Sequence, residues 1–280
     1  MKQLEKAQAF KRLHEQPGTF VIPNPWDAGS AKFLEHLGFK ALATTSAGLA
    51  FALGRPDGER MVSREETMTN AATIVDATSL PVSADLESGF GDEPEMCAET
   101  IRLAGLAGLV GGSIEDATGR DGGPIYEVKA AAARVEAAAE AARSLGYPFM
   151  LTGRAENYLH GRADLADTIA RLQAYQAAGA DVLYAPGLGN LDDIATLVRN
   201  VDRPVNVLMG LSGVRLSVDD LARVGVKRIS VGGAFARAAY GGFLKAAREV
   251  REKGTFEFND AAMPYAELQG LFSTENKRRD

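Results

Sequence analysis

Cysteine is almost absent from this 280-residue chain, in which Cys97 stands alone. A single cysteine excludes an intramolecular disulfide, so we expect a reducing compartment and a fold that depends on its core. Cys97 lies in a predicted helix and is interpreted as a small buried residue. Histidine is also scarce, and the three histidines, His14, His36 and His160, lie on predicted helices or in a loop. We interpret them as structural or solvated.

An excess of basic charge and long apolar runs are both missing. The net charge is −6 and the pI is about 5.3, whereas a nucleic-acid-binding surface is basic. No apolar run reaches the length of a membrane span. Residues 1–16 are charged and amphipathic and lack the apolar centre of a signal peptide. We therefore expect a cytoplasmic protein that binds neither nucleic acid nor membrane.

What the chain does contain is the pattern of an α/β barrel. Hydrophobic residues make up 46% and charged residues 24% of the sequence, enough for one domain with a full core. Apolar strands are predicted at 19–23, 41–45, 81–84, 108–115, 149–152, 181–184, 204–209 and 228–231, with amphipathic helices between them. This alternation is typical of a TIM-type (β/α)8 barrel. A doubly wound sheet is the alternative, but no G-x-G-x-x-G follows the first strand.

Two acidic pairs follow neighbouring predicted strands. Asp85 and Glu87 come after the apolar run at 81–84, and Glu115 and Asp116 close the next strand. Residues two apart on a strand face the same way, so Asp85 and Glu87 are predicted to project together. Carboxylates that converge raise each other's pKa and need a partner. A hard divalent cation such as Mg²⁺ fits them, and a pair of solvated loop acids is the plainer alternative.

Several motifs resemble those of the isocitrate lyase/phosphoenolpyruvate mutase superfamily. PVSADLESGFGD at 81–92 is similar to its metal-binding strand, with Glu87 where a second aspartate is commoner. S-I-E-D at 113–116 is similar to its I-E-D motif, and G-R-A-E at 153–156 to its arginine strand, commonly R-T-D. The resemblance spans about residues 21–237 and implies a barrel enzyme.

The resemblance also implies a metal ion and the residues that bind it. It assigns Asp85, Glu87 and Glu115 as the residues that hold Mg²⁺, or Mn²⁺ in its place, directly or through water. Asp57, in L-G-R-P-D-G at 53–58, resembles the loop aspartate that reaches the water shell of the metal. Pro-Asp-Gly is also a generic turn, so the assignment of Asp57 depends on its spacing to the other motifs.

A second set of residues is predicted to bind the substrate. T-T-S-A-G at 44–48 resembles the superfamily turn whose backbone N–H groups and serine hydroxyl bind a carboxylate. An ordinary strand-to-helix turn is the plain alternative. Small side chains let an anion approach the backbone closely. The predicted catalytic residues are Ser46, Asp57, Arg154 and Asn206, and the predicted substrate-binding residues are Trp26, Ser46, Ala47, Gly48, Arg154 and Glu156.

The chain departs from the superfamily at the acid/base loop. Carbon–carbon lyases of the superfamily carry K-K/R-C-G-H after the I-E-D motif, and the cysteine serves as acid/base. Here residues 117–124 read ATGRDGGP, with no cysteine, histidine or lysine. The N-x-T-E motif of the seventh strand is missing too, and Asn206 shares a strand face with its asparagine. The residues that would hold an enolate are thus present, without the familiar proton donor.

Three functions fit this set of residues. The first is a Mg²⁺-dependent lyase that acts on a small 2-oxo or 2-hydroxy carboxylic acid. Decarboxylation suits the missing cysteine, since loss of carbon dioxide requires no base; aldol cleavage would need Tyr184, Glu156 or a metal-bound hydroxide. The second is a phosphonopyruvate hydrolase or mutase, with V-G-G-A at 231–234 as a phosphate cradle. The third is a non-catalytic protein that binds a metabolite.

The end of the chain predicts an oligomer. Residues 1–252 are assigned to the barrel, with a helix at 4–14 over one end, and residues 253–280 to a linker and a further helix at 264–272. A complete barrel leaves no strand for this last helix to cover, so its apolar face needs another surface. The resemblance implies a dimer of dimers in which terminal helices are exchanged, whereas folding back over the helix's own barrel is the alternative.

Overall fold

A computed structural model describes residues 2–58, 61–120 and 122–273. Its strands are β1 (Phe20–Ile22), β2 (Leu42–Ala43), β3 (Val82–Asp85), β4 (Gly111–Glu115), β5 (Met150–Arg154), β6 (Val182–Tyr184), β7 (Val205–Leu208) and β8 (Arg228–Ser230). Its α-helices are α1 (Gln3–Glu15), α2 (Ala28–His36), α3 (Ser46–Ala52), α4 (Arg64–Ala77), α5 (Pro94–Leu106), α6 (Val128–Arg143), α7 (Leu165–Ala177), α8 (Leu191–Arg199), α9 (Val218–Arg223), α10 (Ala234–Lys253) and α11 (Tyr265–Ser273). A 3-10 helix spans Glu257–Ala261.

The eight strands form one parallel sheet in the order β1-β8-β7-β6-β5-β4-β3-β2. The two outer strands of this order also meet, because the Ala43 N–H of β2 donates to the Pro23 carbonyl, just after β1, at 3.0 Å. The sheet is therefore a nearly closed barrel with helices outside it. The predicted (β/α)8 architecture is confirmed.

Local signals account for many of the helix ends. Ser63 and Glu66 form the reciprocal capping box that starts α4. Pro94 is the first residue of α5, where its missing N–H costs nothing. Asn190 accepts hydrogen bonds from two N–H groups of the first turn of α8. Helices α5 and α8 begin and end at the residues that the sequence pattern predicts.

Helix α1 closes the N-terminal end of the barrel, as predicted. Phe10 and Ala7 are fully buried and pack against side chains from inside the barrel: Ile22, Ala41, Val110, Met150 and Val182. His14 lies edge-on to Phe10 and Phe20, with ring centroids 4.7 and 5.1 Å apart. The opposite end, where the strands end, is thus left for ligands.

Two local predictions are wrong. The pattern predicts a small-residue turn at 46–50, but Thr45 accepts a hydrogen bond from the Gly48 N–H at 3.2 Å and caps α3 there. The pattern also places Glu87 on the same strand face as Asp85. Strand β3 ends at Asp85, and Glu87 has φ 48°, in the left-handed region. The two-residue alternation of a strand therefore does not reach Glu87.

The C-terminal part of the chain leaves the barrel wall. Helix α10 buries only Ala236 among its residues. Helix α11, predicted at 264–272, lies against α2 of the same chain, with the Phe272 and Phe33 rings 5.6 Å apart. Residues 274–280 of the predicted tail lie outside the described residues. None of the helices described is both long and apolar enough to cross a bilayer.

Candidate active site

A cavity of ≈ 200 Å³ lies inside the barrel at the C-terminal ends of the strands. Six of the predicted site residues line it: Ser46, Ala47, Asp57, Asp85, Arg154 and Asn206. Five others lie outside its lining: Trp26, Gly48, Glu87, Glu115 and Glu156. The structure thus gathers residues from β3, β5, β7, α3 and the loop after α3 around one space.

The first turn of α3 meets the end of β3 through Ser46 and Asp85. The Ser46 hydroxyl donates to Asp85 Oδ2 at 3.1 Å, and the Ser46 N–H lies 3.4 Å from the same oxygen. The Asp85 N–H donates to the Thr44 hydroxyl at 3.1 Å, and the Glu87 N–H donates to Asp85 Oδ1 at 3.2 Å. Backbone and hydroxyl groups thus fix the orientation of the Asp85 carboxylate.

Arg154, the last residue of β5, joins three carboxylates. Its Nη1 lies 3.3 Å from both Asp85 Oδ2 and Glu115 Oε2, and its Nε lies 2.5 Å from Glu156 Oε1. Burial alone would lower the pKa of Arg154, but the charges of these three acids raise it well above its ordinary value. The guanidinium also lies 5.1 Å from the centre of the Tyr184 ring. Arg154 is therefore a fixed cation.

The acids of the site carry more charge than Arg154 can balance. Burial raises the pKa of Glu115 well above its ordinary value, and it also raises the pKa of Glu156. Burial raises the pKa of Asp57, and the nearby charge of Asp85 raises it further. The acids of this electrostatic cluster are Asp57, Asp85, Glu87, Glu115 and Glu156. The cluster thus has room for another positive charge.

The oxygen atoms that face the cavity fit a hard divalent cation. Asp57 and Asp85 both line it, and the Ser46 hydroxyl lies beside Asp85. Within the described part of the chain, no three Asp, Glu, His or Cys side chains lie close enough to hold a metal ion together. A cation bound here would therefore rely on two carboxylates and several waters, which suits Mg²⁺.

Asp116, the fourth residue of the S-I-E-D motif, lies outside the cavity lining and links the strands that carry the site residues. It is buried, and its Oδ1 accepts the Glu156 N–H at 2.7 Å. Its Oδ2 accepts hydrogen bonds from the Tyr175 hydroxyl at 2.6 Å and from Arg171 at 3.1 Å. These bonds tie the ends of β4 and β5 to α7. The sequence pattern shows Asp116 only as a neighbour of Glu115 and does not reveal this role.

Asn24 occupies the predicted phosphate cradle at 231–234. Its Oδ1 accepts hydrogen bonds from the Val231 and Gly232 N–H groups, each at 2.9 Å. Its Nδ2 donates to the Thr44 carbonyl at 2.9 Å. Two N–H groups of the predicted cradle are therefore already satisfied. At Gly233 an added Cβ would lie 3.1 Å from Ala47 Cβ, so this glycine allows α10 to approach α3 closely.

The loop that replaces the superfamily's acid/base segment folds on itself. The Thr118 N–H donates to the Pro124 carbonyl at 2.8 Å, and its hydroxyl donates to the Gly123 carbonyl at 2.6 Å. Arg120 pairs with Asp92 at 3.3 Å. None of the described residues of this loop, 117–120 and 122–124, lines the cavity. The described residues of this loop therefore bring no acid or base to the cavity.

Polar side chains also form the floor of the cavity. Asn206 donates to the Ser230 hydroxyl at 2.9 Å and accepts from Arg228 Nε at 2.8 Å. Arg228 Nη2 donates to the Thr152 hydroxyl at 3.0 Å. Tyr184 lines the cavity with them, and burial raises its pKa to about 12, so its hydroxyl keeps its proton at neutral pH. The sequence pattern gives no sign of Arg228 here, because it begins a short apolar strand.

Comparisons with known proteins agree with this arrangement. The family model described as phosphoenolpyruvate phosphomutase matches residues 10–251. A Burkholderia cenocepacia J2315 structure, provisionally assigned as a lyase/mutase, is 59% identical, with a TM-score of 0.94 over 97% of this chain and 96% of that one. A second structure from the same organism, provisionally assigned as a phosphonomutase, is 36% identical, with a TM-score of 0.78 over 90% of this chain and 100% of that one.

A curated relative has a named activity. Oxaloacetate decarboxylase of Pseudomonas entomophila (strain L48) is 29% identical over 248 residues, which cover 85% of this chain and 81% of that protein. The family match extends over most of the chain and includes the strands that carry Asp85, Glu115 and Arg154. The chain therefore belongs to the phosphoenolpyruvate phosphomutase family, within the isocitrate lyase/phosphoenolpyruvate mutase superfamily.

Proposed function

We propose that this chain, a lyase of its superfamily, acts on a small 2-oxo or 2-hydroxy carboxylic acid with the help of Mg²⁺, or of Mn²⁺ in its place. The reaction is decarboxylation or cleavage of a carbon–carbon bond through a pyruvate-type enolate. One observation carries the proposal: Ser46, Asp57, Asp85 and Arg154 line the same cavity. Hydrogen-bond donors and cation ligands therefore meet where one small acid can contact both.

Binding would use the two ends of this group of residues. A substrate carboxylate would accept the Ser46 hydroxyl hydrogen bond that Asp85 Oδ2 accepts in the structure, and Arg154 would supply a fixed positive charge. Asp57 and Asp85 are the residues that would hold the divalent cation, with Glu87 and Glu115 reached through water. When bound, such a cation stabilises negative charge that develops on a substrate oxygen.

The proton chemistry must come from residues other than a loop cysteine. Loss of carbon dioxide requires no base, so decarboxylation fits the described cavity best. The remaining carbanion must then gain a proton. The Tyr184 hydroxyl lines the cavity and keeps its proton at neutral pH, so we assign it as the donor. Glu156, which lies outside the lining and is held by Arg154, is a less accessible candidate.

The test is turnover by an Asp85→Ala variant on a panel of 2-oxo and 2-hydroxy acids, oxaloacetate included. We expect activity to fall by at least about a hundredfold, because the variant loses a cation ligand and the Ser46 contact. Glu136→Ala, an exposed acid on α6, is the matched control and should leave activity unchanged. Chelation followed by titration with Mg²⁺ or Mn²⁺ tests the cation. Full turnover by Asp85→Ala on every acid would refute the proposal.

Phosphorus–carbon chemistry is the second candidate, supported by the 36% identical Burkholderia structure assigned as a phosphonomutase. The occupied N–H groups at Val231 and Gly232 count against a phosphate cradle there. Release of inorganic phosphate from phosphonopyruvate would favour this candidate over a carbon–carbon lyase. Binding of oxalate with Mg²⁺, but with no product from any acid, would instead favour the non-catalytic alternative.

A further inference from the structure

The floor of the cavity contains a buried cation without an anion. Arg228 is the first residue of β8, and 5% of it is exposed. Its side chain contacts Asn206 and Thr152 at 2.8 and 3.0 Å, and its Nη1 lies 3.4 Å from His14 Nε2. Within the described part of the chain, no carboxylate forms an ion pair with it. The polar contacts of this guanidinium are to amide, hydroxyl and imidazole groups rather than to carboxylates.

His14 does not supply the missing charge. Its Nδ1 lies 2.9 Å from the Phe10 carbonyl, so Nδ1 carries the ring proton and Nε2 accepts from Arg228. Burial, and then the charge of Arg228, lower the pKa of His14 to about 3. The ring is therefore neutral at physiological pH, and the three contacts engage three of the five guanidinium N–H groups.

An unpaired guanidinium in a barrel interior is costly to the fold. Burial lowers the pKa of Arg228 to about 10, so it remains a cation at neutral pH. The interior of such barrels is ordinarily filled with branched apolar side chains. A buried charge is normally paired, because transfer from water without a partner is strongly unfavourable. An anion that the chain itself does not provide would compensate it.

The cavity gives such an anion access to Arg228. Arg228 lines the same cavity as Asp85 and Arg154. Strand pairing places Arg154, Tyr184, Asn206 and Arg228 in register on four successive strands. The cavity therefore has an acidic, cation-binding side near Asp85 and a cationic floor. A ligand with a carboxylate at each end matches both.

We propose that Arg228 binds a second carboxylate of the substrate and so selects dicarboxylic acids. The Ser230 and Tyr184 hydroxyls line the floor beside it and are hydrogen-bonded to each other, which leaves one of their two protons free to donate to the same group. The inference rests on the proposed function for the first anchor, the 2-oxo or 2-hydroxy acid end at Ser46 and Arg154. The selectivity itself is carried by Arg228.

Calorimetry with two matched pairs of acids tests this subsite in the presence of Mg²⁺. The pairs are 2-oxoglutarate with 2-oxovalerate, and malate with 2-hydroxybutyrate; in each, a carboxylate replaces a methyl group. We expect wild type to bind the dicarboxylate of at least one pair about tenfold more tightly or better. Arg228→Gln should lose this preference and keep its affinity for the monocarboxylate. Equal affinities for both members of both pairs in wild type would overturn the subsite.

A second variant separates binding from a structural role. Arg228→Met removes the buried charge, so we expect the ligand-free variant to melt no lower than wild type while losing the dicarboxylate preference. A lower melting temperature with the preference retained would show that Arg228 supports the fold only. Failure of wild type to bind any of the four acids would contradict the proposed function together with the subsite. Asp85→Ala should weaken both members of a pair equally.

Discussion

Arg154 forms ion pairs with three acids, so its removal should make the stability of the protein depend more strongly on pH. In Arg154→Met, Asp85, Glu115 and Glu156 lose their cation, and we expect a loss of about 3–5 kcal/mol in the free energy of unfolding. Burial already raises the pKa of Glu115 and of Glu156, and without the charge of Arg154, which lowers both, these pKa values rise further above those of the unfolded chain. The folded variant therefore binds more protons than the unfolded chain. Its free energy of unfolding is highest at low pH and falls as pH rises. Thermal unfolding without metal, from pH 5 to 8, should show a steeper decline than wild type.

Arg154→Lys is the control for that measurement. It keeps the positive charge and loses the planar fork, so its decline with pH should lie between those of wild type and Arg154→Met. Parallel curves for wild type and Arg154→Met would mean that the three ion pairs do not control the ionisation of these acids.

His14 should make the protein sensitive to mild acid. Its pKa is lowered to about 3 in the folded chain, by burial and then by Arg228, against about 6.5 when unfolded. The stabilisation is therefore complete above about pH 6.5 and is lost as pH falls toward 3. The slope is at most about 1.4 kcal/mol per pH unit. Urea unfolding at pH 7, 6 and 5 should show wild type losing this much more than His14→Gln. An equal loss in both proteins would contradict the assignment.

At the scale of one element, α3 depends on Gly48. An added Cβ there would lie 2.6 Å from Thr45 Cγ2 and 2.8 Å from Trp26 Cβ, so neither neighbour could stay in place. We expect Gly48→Ala to cost about 1–3 kcal/mol of stability. Because Thr45 caps the helix that carries Ser46, kcat/KM should also fall by at least about tenfold.

Gly270→Ala is the matched control for that change. Gly270 lies within α11, and an added Cβ meets nothing within 4 Å. Alanine favours helix, so stability should be equal or higher by up to about 1 kcal/mol, with activity unchanged. If Gly48→Ala behaves like this control in both measurements, the packing of α3 does not position Ser46.

Elements with strong local signals could be predicted from the sequence, and those set by tertiary contacts could not. Pro94 at the start of α5 and Asn190 before α8 are visible in the chain, and both helices lie as predicted. Helix α3 was missed because small residues and Gly48 resemble a turn until they pack against Trp26. The left-handed conformation of Glu87 leaves no mark in the sequence at all.

The candidate site divides in the same way. Asp85, Arg154 and Ser46 end or follow strands, where barrel topology brings side chains together, and motif and position both indicated them. Arg228 is the first residue of a short strand rather than the last, so only the three-dimensional structure places it in the cavity. Sequence position predicts which strand end a residue occupies, but not how deep the cavity reaches.

At the scale of the whole molecule, we propose a homo-oligomer, a dimer of dimers. Helix α10 presents apolar side chains to solvent in the single chain: Phe235, Tyr240, Phe243 (71% exposed) and Leu244. A patch of this kind calls for a protein surface to cover it. Phe243→Glu should therefore lower the molar mass measured by light scattering. Leu106→Glu, at a still more exposed position on α5, should not. A monomeric wild type would contradict the proposal.

Light scattering on a chain shortened to end at Gly254 tests which part of the C-terminal region is exchanged between subunits. Helix α11 contacts α2 of its own chain through Phe272 and Phe33. If the shortened chain keeps the full-length mass while Phe243→Glu loses it, the contact lies on α10 and the last helix is not the exchanged element. Loss of mass on shortening assigns that role to the residues after Gly254.

Helix α1, which closes the N-terminal end of the barrel, also limits the route by which substrate and product can enter and leave. Among the described residues, Phe10 is fully buried at that end and His14 contacts Arg228, so α1 covers the cavity floor. We therefore expect the products to leave through the same end of the barrel by which the substrate enters. A carboxylate product that stays bound to Arg154 or Arg228 would therefore block binding of the next substrate molecule. In the decarboxylation proposed above, neutral carbon dioxide would be held by neither arginine and would leave first, so the charge of each product would set the order of release.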